Sequence, residues 1–250
     1  MKVLDHGFVE LVDCTGHAGQ RVVDAARCSF GSESDEGERD RKLIAYLLGN
    51  GHTSPFRHAF FTFHIKAPLF VFRQWWKYQV GSTWREYELE DGTPVSLEEQ
   101  LADRTQVVAS DIQIDTDQGC SWNELSGRYK VMEPEFYMPE KARRNTGKQS
   151  STDVEDAILT DDMSRWMEHA MYAATNAYRA MLDAGIAKEL ARLVLPPTIY
   201  SEAYWTVSLQ AILHFLDQRL KPEAQYEIRQ YAQAVLELIR PQLTAMGISK

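Results

Sequence analysis

The apolar positions of this chain change period along its length. In the first third they crowd into short runs. Ala59-Phe60-Phe61-Thr62-Phe63-His64-Ile65, rich in aromatic and β-branched residues and closed by Pro68, predicts a strand. Upstream, the dense charges of Asp35 to Lys42 lead into Leu43-Ile44-Ala45-Tyr46-Leu47-Leu48, a helical pattern that stops near Gly49-Asn50-Gly51. The run after Pro68 fits a helix or a strand on pattern alone. In the second half the period becomes helical. Trp166, Ala170, Ala173, Ala177 and Met181 recur at three- and four-residue spacing before a stop at Gly185, which predicts a helix packed along one apolar face. A further helix is predicted to carry Trp205, Leu209, Ile212, Leu213 and Leu216 before Pro222. A last long helix carries Ile228, Tyr231, Val235, Leu238 and Ile239 before Pro241. Strands early and helices late predict an α+β fold with 1–250 as a single domain, and a segregated two-domain arrangement satisfies the same pattern.

Composition narrows the classes. With 250 residues, 44% hydrophobic and 25% charged, the chain has the makeup of a soluble globular protein with a substantial core. A formal charge of −9 opposes nucleic-acid binding through a broad positive field, which leaves a phosphorylated metabolite held by a local cationic pocket. Cys14, Cys28 and Cys120 are odd in number and far apart, which suits a reducing compartment rather than a disulfide framework. No zinc spacing is present. His58 and His64 share strand parity, yet six extended residues separate them by roughly 20 Å, so no metal site is expected. The N-terminus lacks a basic segment followed by a long apolar run, and the apolar stretch around 68–72 is too short to span a bilayer, so a cytoplasmic location without membrane contact is expected. Gly16 and Gly19 make no dinucleotide fingerprint.

The chemistry concentrates in Ser121-Trp122-Asn123-Glu124-Leu125-Ser126-Gly127-Arg128-Tyr129. A hydroxyl, a glycine that permits close backbone approach and a guanidinium fork stand side by side, a combination suited to phosphate. Other landmarks occur in order: Gly7-Phe8-Val9-Glu10-Leu11-Val12-Asp13, Ala25-Ala26-Arg27-Cys28-Ser29-Phe30, Gly51-His52 with Pro55-Phe56, Ala67-Pro68, Arg73-Gln74-Trp75-Trp76, Glu135-Phe136-Tyr137 and Val194-Leu195-Pro196. Together they resemble the flavin-dependent thymidylate synthase family. The resemblance implies a helix after Pro68 and a homotetramer whose shared sites hold FAD and deoxyuridylate. It also implies methylenetetrahydrofolate as carbon donor and NADPH as reductant, with the protein binding and orienting its substrates. By the same resemblance, Gln74, Ser126, Gly127, Arg128 and Arg179 contact the nucleotide, while Ser29, His52 and Ser54 serve the flavin. Trp75-Trp76 reads as core or interface area before it reads as a stacking surface for a cofactor.

Several positions depart from the family pattern. Its Arg-His-Arg is Lys77-Tyr78-Gln79, its glutamate before the strand is Arg57, and its asparagine near the later tyrosine is Thr198, all assigned to the flavin side. Glu202 stands where an arginine that polarises uracil is expected, which reverses hydrogen-bond polarity. Two consequences are entertained: a shift toward deoxycytidylate or another pyrimidine, by methylation or hydroxymethylation, and a compensating Arg57–Glu202 pair. A catalytically inactive nucleotide-binding homologue is a further alternative. Residues 82–120 read as an insertion within the signature, with a turn at Asp91-Gly92-Thr93-Pro94 and a helix start at Ser96 supported by Glu99. It is either a surface excursion or a lid beside the site.

Overall fold

A computed structural model describes residues 1–28, 37–76, 120–140, 143 and 160–248. Ser29, Lys77, Tyr78, Gln79 and nearly all of the insertion at 82–120 lie outside these residues. The elements in order are β1 (Lys2–Val3), β2 (Gly7–Cys14), α1 (Ala18–Arg27), α2 (Glu38–Gly49), a 3-10 turn (Ser54–His58), β3 (Phe60–Pro68) and α3 (Leu69–Trp75). They continue with β4 (Cys120–Glu124), α4 (Thr160–Asp183), α5 (Lys188–Ala191), a second 3-10 turn (Arg192–Val194), β5 (Tyr200–Ser208), α6 (Leu209–Arg219) and α7 (Tyr226–Ala245). The fold is α+β.

The strands form one antiparallel sheet in the order β1-β2-β3-β5-β4. Its spine is the β3–β5 pair, in register from Phe60↔Ser208 to Pro68↔Tyr200. Because side chains alternate along a strand, Phe61, Phe63, Ile65 and Ala67 on β3 and Ala203, Trp205 and Val207 on β5 all face one side, where they are buried. α1, α3, α6 and α7 cover that side in one continuous core. Trp75 is fully buried there, stacked on Phe215 at 4.9 Å and edge-on to Trp205 at 5.4 Å. The other side of the spine carries Thr62, His64, Lys66, Glu202, Tyr204 and Thr206 and stays partly open.

The predicted strand at 59–65, the helix stopping at Gly49-Asn50-Gly51 and the helix after Pro68 all form. Three expectations change. Trp205 belongs to β5 rather than to the helix that follows. The Trp205–Leu209 spacing straddles Ser208, whose hydroxyl caps α6 by accepting from Ala211 N at 3.3 Å. Pro241 lies inside α7 instead of ending it, and Leu243 and Met246 beyond it are buried, so core contact outweighs the lost backbone bond. His58 sits in the 3-10 turn and does not share a strand with His64. Among the described residues no cluster of His, Cys, Asp or Glu could hold a metal ion, and no helix is long and apolar enough to cross a membrane.

α4 forms as the period requires and gives way to Gly185 at φ +77°, but most of its stripe stays exposed and does not pack on the described residues. Ala170, Ala173 and Ala177 are exposed, and Trp166 and Tyr172 are 66% and 71% exposed. Tyr178 is the helix's buried anchor, its hydroxyl accepting from Met132 N at 3.0 Å. Period alone reveals an apolar face and not what covers it.

Candidate active site

Two clefts flank the ends of β3. The first, about 700 Å³, opens beside the β4 edge of the sheet. Trp122 and Glu124 project into it because their register partners, Trp205 and Ala203, are core-facing residues of β5. Beyond β4, Leu125 N donates to Glu202 O at 2.8 Å and the chain turns over Ser126, whose carbonyl accepts from Tyr129 N at 3.2 Å. Gly127 is buried at this turn. A Cβ there would meet Met132 Sδ at 3.0 Å and Arg192 Cδ at 3.2 Å, so glycine lets the Arg192 side chain pass closely. Arg73 on α3, Trp76 after it, Arg192 in the second 3-10 turn and Ser201 on β5 complete the lining.

Glu124 is exposed at the cleft, and partial desolvation is the chief cause that raises its carboxyl above the ordinary value. The Ser201 hydroxyl, the Trp122 indole and the charges of Arg73 and Arg192 oppose that rise without cancelling it. Two guanidinium groups and one reluctant carboxylate therefore converge on a cleft walled by aromatic and aliphatic side chains. Such a site favours a planar ligand carrying an anionic group.

The second cleft, about 900 Å³, lies at the other end of β3 between α1, α2 and the first 3-10 turn. It brings together His52, Ser54 and Arg57 with Arg27, Arg39 and Tyr46. Arg57 Nε donates to Gln210 Oε1 at 2.6 Å and Gln210 Nε2 to Thr53 Oγ1 at 2.9 Å, which ties the turn to α6. Arg27 pairs with Asp40 at 2.5 Å beneath the cleft floor, both side chains buried. The His52 ring stands edge-on to Tyr46 at 6.2 Å. Thr198 is not brought here. It lies at the opposite end of the β3–β5 pair, where its carbonyl accepts from Tyr137 N at 2.9 Å.

The remaining candidates are dispersed. Ser126 Oγ accepts from Arg128 N at 3.4 Å, and the exposed Arg128 guanidinium lies over the Tyr129 ring at 5.3 Å rather than in the first cleft. Arg179 is exposed on α4. Gln74 Nε2 donates to Gln225 Oε1 at 2.5 Å, and Arg219 donates to the Gln74 carbonyl at 3.2 Å. Glu202 alternates with Ser201 and therefore projects from the opposite side of the sheet. It contacts His64 Nε2 at 3.0 Å, and the His64 ring stacks on Tyr204 at 4.6 Å. The expected Arg57–Glu202 pair does not form, because Arg57 is held by Gln210 near the far end of β3. Arg73, Glu124 and Arg192, the charged groups of the first cleft, had no assigned role in the sequence reading. Arg73 and Glu124 sit inside quoted landmarks and Arg192 just precedes one, but nothing in their spacing announces a shared cavity.

The α+β sheet thus carries two clefts with arginine side chains in their lining, one toward each end of β3. A sequence profile described as thymidylate synthase complementing protein matches residues 10–89 and 111–243, and the unmatched stretch between them falls within the expected insertion. The chain is 38% identical to the flavin-dependent thymidylate synthase of Thermus thermophilus over 95% of its length and 73% of that protein's. It is 35% identical to the enzyme of that name from Thermotoga neapolitana over 95% and 88%. Among solved structures it resembles the UMP/dUMP methylase PolB from Streptomyces cacaoi bound with 5-Br dUMP, at a TM-score of 0.71 and 29% identity, covering 98% of this chain and 95% of that one. The chain thus belongs to the flavin-dependent thymidylate synthase family and is an enzyme of it.

Proposed function

We propose that this enzyme methylates deoxyuridylate to thymidylate, with FAD as cofactor, methylenetetrahydrofolate as carbon donor and NADPH as reductant. The nucleotide phosphate is assigned to the first cleft, where Arg73 and Arg192 offer charge-assisted donors beside the close approach at Gly127. The flavin is assigned to the second, where His52, Ser54, Arg57 and Arg39 supply donors and positive charge around Tyr46. That donor set fits a phosphate-bearing, planar group. When bound, the flavin supplies the electrons of the methylation. The chain's own residues bind, orient and shield the reactants.

The observation that carries this reading further is the separation of the two clefts. They share no lining residue, and nine-residue β3 runs between them, roughly 26 Å at strand rise. Reacting atoms must come within about 3.5 Å, so the flavin cleft of one subunit serves the nucleotide cleft of another. Half-buried Ser126 and exposed Arg128 then serve a nucleotide at the subunit boundary, and the open stripe of α4 is available to build a homotetramer. Lys77, Tyr78, Gln79 and Ser29 are kept as flavin-side candidates on the resemblance alone.

The test is product mass from parallel reactions of the flavin-loaded protein with deoxyuridylate, uridylate and deoxycytidylate, each with folate and NADPH. Uridylate is included because the solved relative PolB is named for both uracil nucleotides. A methyl gain on deoxyuridylate is expected. A gain confined to deoxycytidylate, or no turnover despite bound flavin and nucleotide, would replace this reading by the altered-base or inactive alternative.

A further inference from the structure

The start of α7 carries a buried charge that neither cleft uses. Glu227, in the first turn of the helix, is 1% exposed and belongs to the lining of neither cleft. Its Oε1 accepts from the Tyr137 hydroxyl at 3.0 Å and from Arg143 Nη2 at 2.6 Å, and its Oε2 is buried with no hydrogen-bond partner among the described residues. Arg143 also lies over the Tyr226 ring at 5.1 Å. Burial, and then the adjacent carboxylate, push the Tyr137 hydroxyl far above the ordinary phenol range, so it stays neutral and donates.

Each contact of this corner leads to a wall of the first cleft. Tyr137 N donates to the Thr198 carbonyl at 2.9 Å, Phe136 bridges Ile199, and Tyr200 N donates back to the Glu135 carbonyl at 2.8 Å. The Tyr137 ring packs on Phe70 at 5.8 Å. At the start of α3, Leu69 N and Phe70 N donate to the carbonyls of Ile199 and Pro197, both at 3.0 Å. Leu69, Pro197, Ile199 and Ser201 all line the cleft. Just before Glu227, Gln225 Oε1 accepts from Gln74 Nε2 at 2.5 Å, and Gln74 adjoins Arg73, which lines the cleft from α3. The entry to α7 therefore grips α3 through Gln225 and the 197–201 wall through Tyr137, so two walls from distant parts of the chain are referred to one point of the fold.

Resting on the assignment of the nucleotide phosphate to the first cleft, we propose that Glu227 is a positioning residue for nucleotide binding. Through the Tyr137 hydroxyl it fixes the 197–201 wall from behind, and with Gln225 it sets that wall against the helix that carries Arg73. Arg143 supplies the opposite charge that lets a carboxylate reside out of water. A guanidinium fork recognises phosphate only when its donors arrive in fixed geometry, so displacement of either wall weakens nucleotide contacts first. The flavin cleft lies at the other end of β3 and draws none of its lining from this corner.

Tyr137→Phe is the mildest lesion, because it deletes the hydroxyl and keeps both the Glu227–Arg143 pair and the ring against Phe70. Calorimetric titration of the flavin-loaded variant with deoxyuridylate should show affinity lower by about tenfold, the scale of one hydrogen bond to a charged group, with flavin affinity unchanged. Glu227→Gln keeps an acceptor for Tyr137 and should lose less nucleotide affinity than Glu227→Ala. The alanine variant strips Arg143 of its partner, so Tyr137→Phe decides the question if that variant does not fold. Unchanged nucleotide affinity in Tyr137→Phe, even with a lowered melting temperature, makes the network a structural tie alone and overturns the proposal. An equal loss of flavin affinity overturns it as well. Arg192→Ala, titrated in parallel, separates the two readings. If it weakens nucleotide binding and Tyr137→Phe does not, only this proposal falls; if it binds nucleotide as the unaltered enzyme does, the phosphate assignment and this proposal fall together.

Discussion

Arg128 and Arg192 carry the same guanidinium into different surroundings. The first is exposed above the ring of Tyr129, whereas the second threads past buried Gly127 into the cleft. Replacing Arg192 by alanine removes a charged donor to phosphate, so deoxyuridylate affinity should fall by about tenfold to a hundredfold with flavin affinity unchanged. Equal nucleotide affinity in a binding titration would mean that Arg192 is structural. Glu202 gives the reverse case. Its side chain leaves the sheet on the side opposite Glu124 and engages His64, so Glu202→Arg should leave the ratio of uracil to cytosine nucleotide use unchanged. A shift in that ratio, in a folded variant that still binds flavin, would show that Glu202 reaches the base from a neighbouring subunit. Both arginine-bearing signature segments are legible in sequence. Which way each side chain points is not, because direction depends on strand parity relative to a core that forms between elements distant along the chain.

At the scale of elements, the junction at Ser208 decides how far the sheet extends and where α6 begins. Ser208 is fully buried, and its hydroxyl satisfies one of the first free N–H groups of the helix. Ser208→Ala should therefore lower unfolding free energy by about 1 kcal/mol in chemical denaturation, with the substrate preference unchanged. A neutral effect would mean that Leu209, also buried, positions the helix without the cap. This junction explains why the periodic pattern runs smoothly from Trp205 into Leu216 although two elements meet within it. A strand residue and a helix residue facing the same core satisfy a four-residue spacing by coincidence of direction. The proline signals divide on the same ground. Pro68 ends β3 and N-caps α3, while exposed Pro241 is carried within α7 by Leu243 and Met246 packing behind it. The helix after Pro68 has no decisive period of its own, and the family resemblance rather than the pattern makes it readable.

At the scale of the molecule, the two clefts, the exposed Arg128 and the open stripe of α4 lead to one expectation, that each subunit holds one half of two active sites. The most direct measurement mixes subunits carrying complementary lesions. Arg192→Ala disables the nucleotide cleft and Arg57→Ala the flavin cleft, so each variant alone should be inactive or nearly so. Co-expressed, they assemble into mixed oligomers in which some flavin clefts from Arg192→Ala subunits face nucleotide clefts from Arg57→Ala subunits. For equal random mixing, thymidylate formation should return to roughly a quarter of the wild-type rate in a symmetric assembly. Mixed oligomers that form and bind both ligands but remain as inactive as their parents would mean that each subunit closes its own site, contradicting the shared-site account.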